Sequence, residues 1–133
     1  MRTTGPTIVP AMRVSSLDHV NISTSRLEAT CAFFEDVLGL TRGPRPDFGF
    51  SGAWLYAGDK DVVHLVERGE GRAASSEAAL DHFALSIDDH EAWAERLTAL
   101  NIPHRVVGVP GRKTMQIFLT DPNGVVVELN WQG

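Results

Sequence analysis

The run Leu17-Asp18-His19-Val20 returns, with one change, as Leu80-Asp81-His82-Phe83, and this internal repeat limits the possible folds more than any other feature of the chain. Each copy opens an alternating run that reads as a strand with two unlike faces, Leu17 to Ser23 and Leu80 to Ile87. In the first, Val20 and Ile22 point one way and His19 and Asn21 the other. In the second, Phe83, Leu85 and Ile87 oppose His82, Ala84 and Ser86.

The similarity extends well past the tetrapeptide. Each strand leads into an amphipathic helix. The first carries Leu27, Cys31, Phe34 and Leu38 on one stripe and closes at Gly39, with Thr24 or Ser25 as its expected cap. The second carries Trp93, Leu97 and Leu100, begins at Asp88 or Asp89 and stops before Pro103. Three strand candidates follow each helix. After the first they are an irregular edge segment within 41–50, Ala53 to Ala57, and Asp61 to Glu67, the last two joined by the turn Gly58-Asp59-Lys60. After the second they are Arg105 to Val109, Lys113 to Thr120 and Val125 to Trp131, with Asp121-Pro122-Asn123-Gly124 as the final reversal. The order therefore predicts two βαβββ modules, about 15–68 and 80–133. Between them lies a small, polar linker with room for a short helical turn at 76–79.

Two such modules fill a chain of 133 residues, so one domain over 15–133 is expected, preceded by a flexible leader at 1–14. The lone Cys31 allows no internal disulfide and reads as a small core residue. A net charge of -5 without a basic block argues against a nucleic-acid or anionic-membrane partner. No apolar run approaches the ~20 residues that span a bilayer. The cytoplasm is the default address.

The repeat also aligns polar residues. His19 matches His82, and His64 on the last strand of the first module matches Glu128 on the last strand of the second. Both partners sit among valines and leucines, in Val62 to Val66 and Val125 to Leu129. A buried glutamate needs a cation, a strong hydrogen-bond set or a raised pKa. A metal ion would supply the cation and use the imidazoles as neutral ligands. His19, His64, His82 and Glu128 are accordingly the expected metal ligands, with Glu128 and then His64 as candidates to move a proton. The ligand set suits Zn, Ni, Co, Mn or Fe(II) alike. Parity and the repeat match Trp54 and Tyr56 with Phe118 and Thr120, which gives Trp54, Tyr56 and Phe118 as candidate substrate contacts, and Phe50 joins them from its place near the mouth. Phe48, Arg45, Arg112 and Lys113 are placed near the mouth, a lining that would suit an organic acid or an aromatic substrate. His90 and His104 read as surface residues.

The segments DHVNIS, FFEDVLGL, DHFALSI and FLTDPNGVVVEL closely resemble the vicinal oxygen chelate superfamily across residues 17 to 131. That group includes glyoxalase I, bleomycin-resistance proteins, fosfomycin-resistance enzymes, methylmalonyl-CoA epimerase and extradiol dioxygenases. The resemblance implies a curved, partly open mixed-sheet barrel of α+β class around a metal cleft, with helices outside. It implies ligands on the first and last strands of each module, at the same four positions. It also implies a metal-dependent lyase, isomerase or dioxygenase that binds a small substrate through its oxygens, often as a homodimer and sometimes with exchanged modules. Glyoxalase I carries Glu or Gln where His64 stands. Extradiol dioxygenases and fosfomycin-resistance enzymes match His19, His82 and Glu128 and have no fourth protein ligand. His64 is then either a fourth ligand or an acid/base beside an open position. The alternatives are a non-catalytic protein that sequesters a drug and a module whose metal serves stability alone.

Overall fold

A computed structural model describes residues 12–133, and the leader assigned to 1–14 falls mostly outside them. The first module runs β1 (Val20–Thr24), α1 (Leu27–Ala32), a π-helical turn (Phe33–Val37), β2 (Thr41–Gly43), β3 (Gly52–Ala57) and β4 (Lys60–Glu67). After a 3-10 turn at Ser75–Glu77, the second runs β5 (His82–Ser86), α2 (His90–Ala99), β6 (Arg105–Gly108), β7 (Thr114–Thr120) and β8 (Val126–Gln132). Each module forms its own four-stranded mixed sheet, in the orders β1-β4-β3-β2 and β5-β8-β7-β6. In each, the first strand pairs parallel to the last and the other pairings are antiparallel. The duplication read from LDHV and LDHF is thus a duplication of sheet topology. The sheets are not closed on themselves, and β1 and β5 are edge strands.

One apolar core joins the modules. Phe34, Leu55, Val63 and Leu65 of the first and Leu97, Ile117, Val127 and Leu129 of the second belong to the same buried cluster. The first helix buries the stripe expected of it, with Cys31 and Phe34 fully enclosed. The π turn adds a residue per turn, so neighbouring Phe33 and Phe34 both reach the core and meet edge to face at 5.1 Å. Gly39 then takes the left-handed conformation (φ 75°) that ends the helix.

Several local expectations differ from what is found. Neither Thr24 nor Ser25 caps α1. The Thr24 hydroxyl accepts from the Arg26 amide at 2.8 Å, a side-chain turn in place of a cap. Asp89 does cap α2, accepting from the Ala92 amide at 3.1 Å. Leu100 is 45% exposed, because the helix has already ended and the chain turns to present Ile102 instead.

The final reversal does more than turn the chain. The Asp121 carboxylate accepts from the Asn123 and Val125 amides (2.7 and 2.8 Å), which presents the Asn123 side chain to the other module. There the Asn123 carboxamide oxygen accepts from the Thr24 hydroxyl at 2.6 Å, and its nitrogen donates to Thr30 at 3.0 Å. Thr24 and Thr30 are fully buried, so this network fastens the β7–β8 turn to the β1–α1 junction. Arg96 of α2 makes a second tie, donating to the Val37 and Asp36 carbonyls at 2.9 and 2.7 Å.

Candidate functional site

His19 lies one residue before β1 and His82 opens β5, so each repeat places an imidazole at the start of an edge strand. In both, the aspartate that precedes the histidine takes its Nδ1. Asp18 is 2.8 Å from His19 Nδ1, and Asp81 is 2.7 Å from His82 Nδ1. A carboxylate on Nδ1 fixes the ring's orientation and leaves the lone pair on Nε2, the usual arrangement of a metal-binding imidazole. Lys60 donates to Asp18 at 2.7 Å, and with His19 it lowers that carboxyl to about 2. Both aspartates belong to the repeated LDH, yet strand alternation alone gives them no role, since it sends neighbours to opposite faces.

Glu128 projects from the middle of β8, opposite Ala84 on one side and Phe118 on the other, and is 5% exposed. Its Oε1 is 2.9 Å from His82 Nε2, and its Oε2 accepts from Gln116 at 3.1 Å. Hydrogen bonding to Asp81, reinforced by Glu128, raises the His82 pKa. Phe118 stands edge-on to the His82 ring at 5.6 Å. Gln116 is not among the residues that the repeat selects. Its one signal is parity, since it lies two residues before Phe118 on the same face of β7.

The equivalent place in the first module is built differently. His64 lies opposite Asn21 and Trp54 in the sheet. Its ring is held between Trp54 (4.1 Å, 7°) and His19 (3.7 Å, 17°), and its Nε2 meets Asp61 at 2.6 Å. Residues three apart on a regular strand face opposite ways. Here a bulge intervenes: Tyr56 pairs with Asp61 and Leu55 with Val63, which leaves Val62 as an extra residue. The bulge resets the alternation and brings Asp61 to the face of His64. No residue pattern announces this.

The four expected ligands therefore form two pairs, His19 with His64 and His82 with Glu128. Among the described residues, no three His, Cys, Asp or Glu side chains of one chain are grouped to hold a single ion. His19, His82 and His64 line three different cavities. Of the expected substrate contacts, Trp54 and Phe118 flank the histidines, and Phe50 lines the His64 cavity. Tyr56 is engaged in the scaffold, its hydroxyl on the Pro44 carbonyl at 2.5 Å and its ring against Gly43. His104 bonds the Ile102 carbonyl, and His90 packs on Trp131.

The donor chemistry of the second pair fits a divalent ion. Adjacent ligands at ~2.1 Å from one ion lie about 3–3.4 Å apart, and His82 Nε2 and Glu128 Oε1 are close to that spacing. The first pair offers one such donor. The His64 ring is stacked on that of His19, and its Nε2 is occupied by Asp61.

The sheet topology agrees with comparison to known proteins. Residues 16–129 match the model of the Glyoxalase/Bleomycin resistance protein/Dioxygenase superfamily, and the chain belongs to that family. It is 25% identical over 125 residues to "Glyoxylase I 4" of Arabidopsis thaliana, covering 89% of this chain and 71% of that protein. It is 27% identical over 119 residues to "Lactoylglutathione lyase" of Salmonella typhimurium, covering 84% and 88%. A glyoxalase family protein from Bacillus anthracis has the same fold, with a TM-score of 0.79 at 17% identity over 93% of this chain and all of that one. No helix among the described residues is long and apolar enough to cross a membrane.

Proposed function

We propose that this chain is a divalent-metal-dependent enzyme of the vicinal oxygen chelate type, with His19, His82 and Glu128 as its metal ligands. The observation that carries the reading is the pair of Asp–His dyads, Asp18–His19 and Asp81–His82, each holding its imidazole by Nδ1 so that Nε2 is the nitrogen left to meet a metal. Glu128 adds a carboxylate already beside one of them. Two histidines and a carboxylate leave coordination positions open for a substrate that presents two oxygens. Bound there, the ion would act as a Lewis acid that stabilises an oxyanion or enolate.

One chain holds these donors in two separated groups. A second copy, its His19 set against the partner's His82 and Glu128, would complete two equivalent sites in a symmetric dimer. In this reading His64 is the acid/base and not a fourth ligand. Asp61 accepts the proton on Nε2, which leaves Nδ1 free to take a proton from substrate or return it. Trp54 and His19 hold that ring flat, and Gln116 holds the Glu128 carboxylate in place.

The test uses protein stripped with chelator and reloaded with Zn, Ni, Co, Mn or Fe(II) in turn. Bound metal is measured by elemental analysis, with turnover of methylglyoxal–thiol adducts, catechols with oxygen, and epimerisable acyl thioesters. The proposal expects one tightly bound ion per chain and turnover of one of these classes. His64→Ala should keep the metal and lose kcat, and Glu128→Ala should lose both. A chain that takes up no divalent ion, or a His64→Ala variant that loses it, contradicts the assignment; the former would favour a sequestering protein.

A further inference from the structure

Arg45 lies in the irregular segment between β2 and β3, where it is half-buried. It forms no ion pair and no hydrogen bond among the described residues, and its Nε is buried without a partner. The neighbouring acid, Asp47, is committed to the turn, its carboxylate accepting from the Gly49 amide at 3.0 Å. An N–H cut off from water with no acceptor costs free energy, and a guanidinium carries five donors and a charge that is never lost. An acidic chain with a net charge of -5 has many carboxylates to offer, and none is placed there.

The surroundings hold that guanidinium in place. Its centre sits 4.9 Å from the Phe48 ring and 5.2 Å from the Phe50 ring, cation–π contacts that fix the side chain without neutralising it. Beneath it β3 begins at Gly52. A Cβ there would fall 2.7 Å from an Arg45 Nη and collide with the Leu65 carbonyl oxygen, so only glycine leaves room. Arg45, Phe48, Phe50 and Trp54 line one cavity of about 160 Å³, and His64 and Asn21 form part of the same wall.

We infer that this cavity is a subsite for a carboxylate on a flat apolar or aromatic body, with Arg45 binding the carboxylate and the aromatic side chains the body. The inference deepens the proposed enzyme only by naming its substrate class, because the cavity shares His64 with the acid/base site. A planar guanidinium matches a carboxylate through two parallel N–H bonds, a fit that a neutral amide of the same shape does not reproduce.

The test is a titration of ¹⁵N-labelled protein with benzoate and, separately, with benzamide. The readouts are the Trp54 indole N–H and the Asn21 side-chain amide. Benzoate should shift both saturably and benzamide should not. Arg45→Met keeps the stem but loses the charge, and should weaken benzoate binding by roughly tenfold or more. Its melting temperature should stay close to that of the wild type, because losing the cation–π contacts with Phe48 and Phe50 is offset by removing a buried N–H that has no hydrogen-bond partner. Absence of a saturable shift with benzoate, equal binding of benzamide, or unchanged binding to Arg45→Met overturns the inference. Metal content measured on the same samples separates the two proposals. Benzoate binding through Arg45 in a chain that takes up no metal leaves the subsite standing. A metal-loaded chain that ignores benzoate removes the subsite alone.

Discussion

At the scale of single residues, the site is organised by carboxylates that touch histidines. Asp18 and Asp81 each hold an Nδ1, and Asp61 holds the Nε2 of His64, so each imidazole is fixed by one nitrogen, and the other nitrogen of His82 meets Glu128. Partners of this kind set ligand affinity from outside the coordination sphere. Replacing Asp81 with Ala should weaken metal binding about 10–100-fold, measured by competition with a chelator, while leaving the fold intact. Asp121 gives a prediction of a different sort. Burial outweighs its hydrogen bonds and holds its carboxyl above the usual value of 3.8, so the folded chain takes up that proton before the unfolded one. Wild type should therefore gain stability relative to Asp121→Asn as pH falls through the raised pKa toward 3.8. Urea unfolding of both proteins across that range checks it; a difference that is flat or of opposite sign would refute the assignment.

At the scale of elements, the repeat is readable because a duplicated module repeats its hydrophobic periodicity along with its few identities. The parity of β1, β5, β7 and β8 follows from alternation, and alternation alone puts His82, Phe118 and Glu128 on a common side. Three features are not legible in this way. The bulge at Val62 turns on how β3 and β4 pair, and two valines in a row look the same with or without it. The exposure of Leu100 reflects where α2 stops, and the apolar spacing continues past that point. The Asn123 turn is legible as a reversal, yet its function depends on Thr24 and Thr30, far away in the chain. Removing that side chain should show what the contact is worth. Asn123→Ala leaves two buried hydroxyls short of a partner and should cost roughly 1–3 kcal/mol in chemical denaturation. A cost near zero would mean the modules are held by the apolar core and Arg96 alone.

For the whole molecule, the proposed site joins His19 of one copy to His82 and Glu128 of another. Two sheets with free β1 and β5 edges, each carrying part of a ligand set, suit assembly by a two-fold axis, where whatever one copy lacks the other supplies. The internal repeat aligns the four polar positions, but spacing along a chain cannot say whether two strands meet within one copy or between two. Mixing complementary variants can. His19→Ala and His82→Ala should each bind almost no metal alone. Unfolded together and refolded as a mixture, they should recover about a quarter of the wild-type metal per chain, since half the dimers are mixed and each has one intact site. A wild type that binds no divalent ion, or a refolded mixture that recovers none while the wild type binds one per chain, would contradict the shared site.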